Sequence, residues 1–161
     1  MYNYGEGKFS IEKIIIMIVI AELAGIIGSI FTTPAIGSWY ASLNKPWFTP
    51  PSWVFGPVWL TLYALMGIAA GIVWHSKSKI KERALQIYGF QLFLNLVWSL
   101  LFFGLRNPLY GLIDIVLMWI AIAATIFMFY KVNKKSAALL IPYIIWVTIA
   151  TALNYYVLVL N

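Results

Sequence analysis

Residues 53–74 read WVFGPVWLTLYALMGIAAGIVW, twenty-two positions without a single charge. About 20 consecutive apolar residues are what an α-helix needs to cross the hydrocarbon core of a bilayer. A membrane β-strand would be about half that length and would alternate apolar with polar residues. A spanning helix is the reading, because in lipid every backbone amide must find its partner within the segment. Four further runs of similar length flank this one, at 11–31, 84–104, 109–130 and 137–159. The 161-residue chain is 63% hydrophobic and 10% charged, with a mean hydropathy of +0.88. A soluble domain is nearer half apolar and about a quarter charged. The expected fold is therefore all-α: one transmembrane domain over residues 1–161, a bundle of five helices. The first run is long for a leader peptide, carries Glu22 near its middle and lacks a small-x-small cleavage site, so it is read as a helix.

The formal net charge of +6 would suggest nucleic acid in a soluble protein. Here the basic residues sit in the breaks between apolar runs, where they set topology. Lys8, Lys13, Lys77, Lys79, Lys81, Arg83, Lys131, Lys134 and Lys135 fall on one side of a five-helix arrangement, and only Lys45 and Arg106 on the other. Nine against two predicts the N-terminus inside and the C-terminus outside, in a membrane the sequence does not name. On the outer side the first connection, residues 32–52, reads TTPAIGSWYASLNKPWFTPPS. Pro34, Pro46, Pro50 and Pro51 restrict its backbone, and Trp39, Tyr40, Trp47 and Phe48 make it adhesive. It is expected to be a structured cap on the bundle; the alternative is a loop lying in the headgroups. No internal repeat is evident, which weighs against the inverted-repeat transporter designs.

The chain has no Cys and one His. Disulfides, thiolate metal sites, a Cys nucleophile and a multi-His metal site within one chain are thereby excluded. Of eight Trp residues, Trp39, Trp47, Trp53 and Trp74 lie in the outer loop or at helix ends, as interfacial Trp residues do. Trp59, Trp98, Trp119 and Trp146 lie deeper, where an indole N–H needs a partner. On the second helix Phe55, Trp59, Tyr63 and Met66 share a face. Gln91, Asn95 and Ser99, beside Trp98, share one on the third, and Tyr143, Trp146, Ala150 and Asn154 on the fifth. An unpaired amide in lipid is costly, so these faces turn inward. At about 1.5 Å per residue Trp59 lies about 9 Å from the helix start, and Trp98 at a similar depth. Two readings remain: helix packing through polar side chains, or an aromatic cavity under the cap for a flat apolar ligand. Asp114 is expected to pair with Arg106 or to cap a loop amide. Glu22 has no evident partner, and carboxyls at that depth are often functional. Ala21, Gly25 and Ser29, and Gly67 with Gly71, permit close helix contact within the bundle or in a homodimer.

WYASLNKPWFTPPSWVFGPVWLTLYALMG (39–67), QLFLNLVWSLLFFGLRNP (91–108) and LLIPYIIWVTIATALNYYV (139–157) resemble the TspO/translocator-protein family, the peripheral benzodiazepine receptors. The resemblance runs in order over nearly the whole chain. It implies a five-helix bundle, often dimeric, that binds tetrapyrroles such as protoporphyrin IX in a pocket under the first loop. In eukaryotic members it also implies binding of cholesterol and of isoquinoline and benzodiazepine drugs. By matching motif positions, the implied pocket includes Tyr40, Pro50, Phe55, Trp59, Asn95, Trp98, Trp146, Ala150 and Leu153. Some bacterial members are reported to promote light-dependent porphyrin breakdown, and the matching residues are Trp59 and Trp146. The family's sterol motif needs a basic residue after its tyrosine. Here Leu153, Tyr155 and Tyr156 are followed by VLVLN, so the motif is incomplete and a tetrapyrrole is favoured over a sterol.

Three functions follow as expectations. The first is a membrane receptor or sensor for porphyrin-like and related hydrophobic ligands, with no cofactor required. The second is a transporter of such compounds, with Glu22 and Asp114 as the coupling carboxyls. The third is porphyrin photochemistry on Trp59 and Trp146, the chain lacking a Ser-His-Asp set, a metal cluster or a phosphate loop. Axial haem ligation is disfavoured, because His75 lies at the opposite end of its helix from the aromatic faces.

Overall fold

The computed structural model describes residues 11–161; Lys8, counted above among the basic residues of the tail, lies outside them. Five spans are long and apolar enough to cross a membrane. The first is α1 (Ile11–Ile36) and the second α3 (Ser52–His75). The third is α4 (Lys81–Ser99), extended by a π-helical turn at Leu100–Gly104; the fourth is α5 (Pro108–Val132). The fifth is built of α6 (Lys134–Leu139) and α7 (Ile141–Leu160), and a short α2 (Trp39–Ser42) sits in the first connection. α1 packs on α3 and α4, α4 on α5, α5 on α6 and α7, and α6 on α3. These contacts close a ring in the order first, second, fifth, fourth, third span.

The first helix runs five residues past the expected end at Phe31, through Pro34. Nothing else in that run stops a helix; Pro34 withholds one amide, from the Ile30 carbonyl, and the hydroxyls nearby bond other carbonyls. Thr32 donates to the Gly28 carbonyl at 3.3 Å and Ser38 to the Pro34 carbonyl at 2.7 Å. Asn107 and Asn133 cap α5 and α6 through their side-chain oxygens, satisfying amides that a helix start leaves orphaned.

One end of the bundle carries the prolines of the first connection, the other most of the basic residues; we call them the Pro-rich and basic ends. At the Pro-rich end the connection is a folded cap. Tyr40 is 5% exposed. Its ring packs on Phe55, Phe102 and Phe103, and Trp39 packs on Phe102. Lys45 donates to the carbonyls of Tyr40, Ala41 and Leu43 and lies 5.0 Å from the Tyr40 ring centroid. Burial pushes the Tyr40 phenol up to about 12. Asn44 and the C-terminal Asn161 clasp each other through backbone and side chain, and Phe48 rests on Tyr156. At the basic end Lys13, Lys131 and Lys134 each lie over an aromatic ring, and Lys81 caps the last carbonyls of α3.

At the basic half α1 and α3 touch through glycine. A Cβ at Gly67 would land on the Ile18 backbone, and one at Gly71 on that of Ile14. Nearer the midplane Gly25 lies against the Tyr63 ring. These small residues thus serve contacts inside the bundle.

Candidate functional site

Toward the Pro-rich end α1 and α3 no longer touch so closely, because Phe55, Trp59 and Tyr63 occupy the face that Gly67 and Gly71 leave bare nearer the basic end. A hollow of about 280 Å³ lies there between α1, α3 and α4. Its aromatic wall is Phe55, Trp59, Tyr63, Trp98 and Phe103. α1 supplies the opposite wall, from Glu22 through Gly25, Ile26, Ser29 and Thr32 to Ile36. Ile26 and Leu60 on the rim are 59% and 62% exposed, so the hollow opens sideways, between α1 and α3, onto the lipid-facing surface.

Beneath the cap, where the second, third and fifth spans converge, little space is left. The void there is about 20 Å³, lined by Tyr40, Phe55, Trp98, Ala150, Leu153 and their neighbours. Phe102 and Phe103 fill the rest. The π turn is the cause: Trp98 and Phe103 are five residues apart and would diverge on an α-helix, but one wider turn brings both to the same side. Phe102 stacks on Trp98 at 5.4 Å, and Phe103 meets Trp98 edge-on at 5.6 Å.

The polar faces expected from the sequence meet one another rather than empty space. Tyr63 Oη donates to Asn95 Oδ1 at 2.5 Å, and Asn95 Nδ2 donates to Tyr143 Oη at 2.8 Å. Tyr143 Oη donates to Gln91 Oε1 at 2.9 Å, and Gln91 Nε2 points at Met66 Sδ at 3.7 Å. A second bridge runs from Trp98 Nε1 to Asn154 Oδ1 at 3.1 Å, and from Asn154 Nδ2 to the Pro108 carbonyl at 2.7 Å. Both chains staple spans together, so packing is a real role of these amides. Asn95 has a second one, since it also lines the larger hollow.

Of the residues singled out in the sequence, Phe55, Trp59, Asn95 and Trp98 line the larger hollow, and Tyr40, Ala150 and Leu153 the small void. Pro50 is half-buried in the cap and lines neither. Trp146 lies behind Phe55, its ring 5.8 Å away, with a buried Nε1 that has no hydrogen-bond partner among the described residues. Trp119 faces outward and donates to Thr148 at 2.8 Å, beside a shallow lipid-facing groove between α5 and α7. His75 ends α3 at the basic end, away from the hollow.

The Arg106 pairing expected of Asp114 does not form. Asp114 is 5% exposed on the core side of α5, its Oδ2 has no partner, and no ion pair joins it to Arg106 among the described residues. Arg106 instead makes the turn before Pro108, with a φ of 51°. The α1 wall, Phe102 and Phe103 had no place in the expected site.

Residues 16–160 match the TspO/MBR family. The chain belongs to that family. It is 43% identical over 152 residues to a tryptophan-rich protein TspO of Archaeoglobus fulgidus, covering 94% of this chain and 99% of that one. It is 42% identical over 137 residues to the human translocator protein, covering 83% and 81% of the two chains. It is 40% identical over 123 residues to a tryptophan-rich sensory protein of Cereibacter sphaeroides, covering 76% and 77%. This TspO/MBR chain is accordingly an integral membrane protein, of a family of membrane receptors, sensors or transporters.

Proposed function

We propose that this TspO/MBR chain is a membrane receptor for tetrapyrroles of the protoporphyrin IX type, held against the aromatic wall of the hollow between α1, α3 and α4. The observation that carries the reading is Trp59. Its ring stacks on Tyr63 at 5.6 Å and tilts toward Trp98 at 6.4 Å, beside free space that is mostly apolar. Flat rings gain from such surfaces by offset or edge contact. Ligand sites typically offer about 300–1,000 Å³, so 280 Å³ is at the small end for a macrocycle. The side opening resolves this, because one edge of the ring can remain in the lipid. Sterol-like and drug-like molecules compete for the same wall. No protein-bound cofactor is required.

The transporter reading shares the hollow but needs a path to the basic end. There the glycine contacts with Ile14 and Ile18 press α1 against α3, which favours the receptor. The photochemical reading needs both Trp59 and Trp146 at the ring, and Phe55 stands in front of the second.

The test is a titration of the protein in nanodiscs with protoporphyrin IX, following Trp quenching and the shift of the porphyrin absorption band. Saturation near one ligand per chain is expected, with a midpoint roughly tenfold weaker in Trp59→Phe, or about 1.4 kcal/mol. Quenching that never saturates and matches plain partitioning into empty nanodiscs would end the reading.

A further inference from the structure

The polar lining of the hollow is lopsided. Among its residues there is one carboxyl, Glu22, and no Lys, Arg or His. Glu22 lies eleven residues into α1, near the middle of the membrane. It is half-buried, and among the described residues it makes no hydrogen bond or ion pair. A charged carboxyl at such a depth is costly, and membrane proteins normally pair it or use it. Asn95 gives its Oδ1 to Tyr63 and one N–H to Tyr143, and among the described residues no hydrogen bond joins its other N–H to Glu22. The rings above Glu22 carry the same bias. Trp59 and Tyr63 are stacked, with Trp98 beside them, and aromatic faces attract cations. An anionic group inside the hollow would find no basic partner, so the propionates of a porphyrin stay on the edge left outside it, whereas a cationic group inside would find a carboxylate and several indole and phenol faces.

We propose that this hollow takes a second class of ligand, a lipophilic amine: a flat apolar body carrying one protonated nitrogen, which pairs with the Glu22 carboxylate while the body lies along Trp59. The amine reaches the site from within the bilayer, because the opening lies between α1 and α3 and is edged by Ile26 and Leu60. Whether the nitrogen arrives protonated or takes the proton of Glu22, the bound state is an ammonium–carboxylate pair. Glu22 is then the residue that tells a basic ligand from a neutral one of the same shape. The inference uses the hollow assigned above to tetrapyrroles but does not depend on porphyrin binding.

The experiment compares 1-pyrenemethylamine with 1-pyrenemethanol, which share a flat body and differ in the charge they can carry. Full-length protein in nanodiscs of zwitterionic phosphatidylcholine keeps lipid charge from contributing. Energy transfer from Trp to pyrene reports occupancy, and empty nanodiscs give the partitioning background. The wild type is expected to bind the amine roughly tenfold more tightly than the alcohol, a difference of about 1.4 kcal/mol. Glu22→Gln should lose the preference for the amine over the alcohol, while Glu22→Asp should keep most of it. The proposal is overturned if the wild type binds both probes equally. It is also overturned if the preference survives in Glu22→Gln, or if Glu22→Asp loses it while still binding the alcohol. Protoporphyrin titration of the same samples reads the tetrapyrrole proposal separately, so either can fail while the other stands.

Discussion

Tyr143 is fully buried and serves two amides at once, accepting from Asn95 and donating to Gln91. Removing its hydroxyl leaves both amides short of a partner where no water replaces it. Tyr143→Phe is therefore expected to destabilise the bundle by about 1–2 kcal/mol, read as a lower melting temperature in nanodiscs with the fold intact. A matched pair of tryptophans isolates the same effect. Trp98 donates to Asn154, whereas the Trp146 indole N–H is buried without a partner among the described residues. Trp98→Phe should cost about 1 kcal/mol more than Trp146→Phe; equal losses would mean that the Trp98 bond adds nothing. At this scale the sequence was legible only in half. Spacing marked Gln91, Asn95 and Asn154 as inward-facing, because an amide in lipid has nowhere else to go. Which partners they meet depends on the ring order of the spans, which no local pattern carries, so the split between stapling and lining remained open. Asp114 shows the same limit: nearness in sequence to Arg106 suggested a pair, but the turn at Arg106 and the inward face of α5 separate them.

Elements were easier to find than to assign. Continuous apolar runs located all five spans to within a few residues, since lipid demands length and apolarity from each. The exception is the far end of α1, which continues through Pro34 to Ile36, past the end of the apolar run at Phe31. The part played by α1 was not legible. A helix apolar all round shows no preferred face, and its contribution to the site rests on a hollow that only the packing reveals. The π turn had no signature either, although it decides which rings fill the space under the cap. The contact between α1 and α3 makes the sharpest prediction here. A methyl at Gly67 must push against the Ile18 backbone, which cannot swing away as a side chain can. Gly67→Ala should cost about 1–3 kcal/mol. Gly89→Ala, whose added methyl meets nothing within 4 Å, should instead be neutral or stabilising by up to about 1 kcal/mol. Thermal melting of the two variants side by side checks both signs.

At the scale of the whole molecule, the ends of the bundle differ in chemistry, and that difference carries the inferred orientation. The cap, the start of α5 and the C-terminus share the Pro-rich end, joined by Asn44 and Asn161. The other end gathers Lys13, Lys77, Lys79, Lys81, Arg83, Lys131, Lys134 and Lys135, with aromatic rings under Lys13, Lys131 and Lys134. A bias this strong in short connections predicts the basic end inside. Because the natural chain has no cysteine, single reporters can be added without background. Trp47 is 95% exposed in the cap and Lys79 is exposed at the basic end. In intact cells that carry the chain in their plasma membrane, Trp47→Cys should react with a membrane-impermeant maleimide, and Lys79→Cys only after permeabilisation. The opposite pattern would invert the molecule, and with it the leaflet from which a lipid-dissolved ligand enters. The hollow opens only in the Pro-rich half, so the inferred orientation gives it to the outer leaflet.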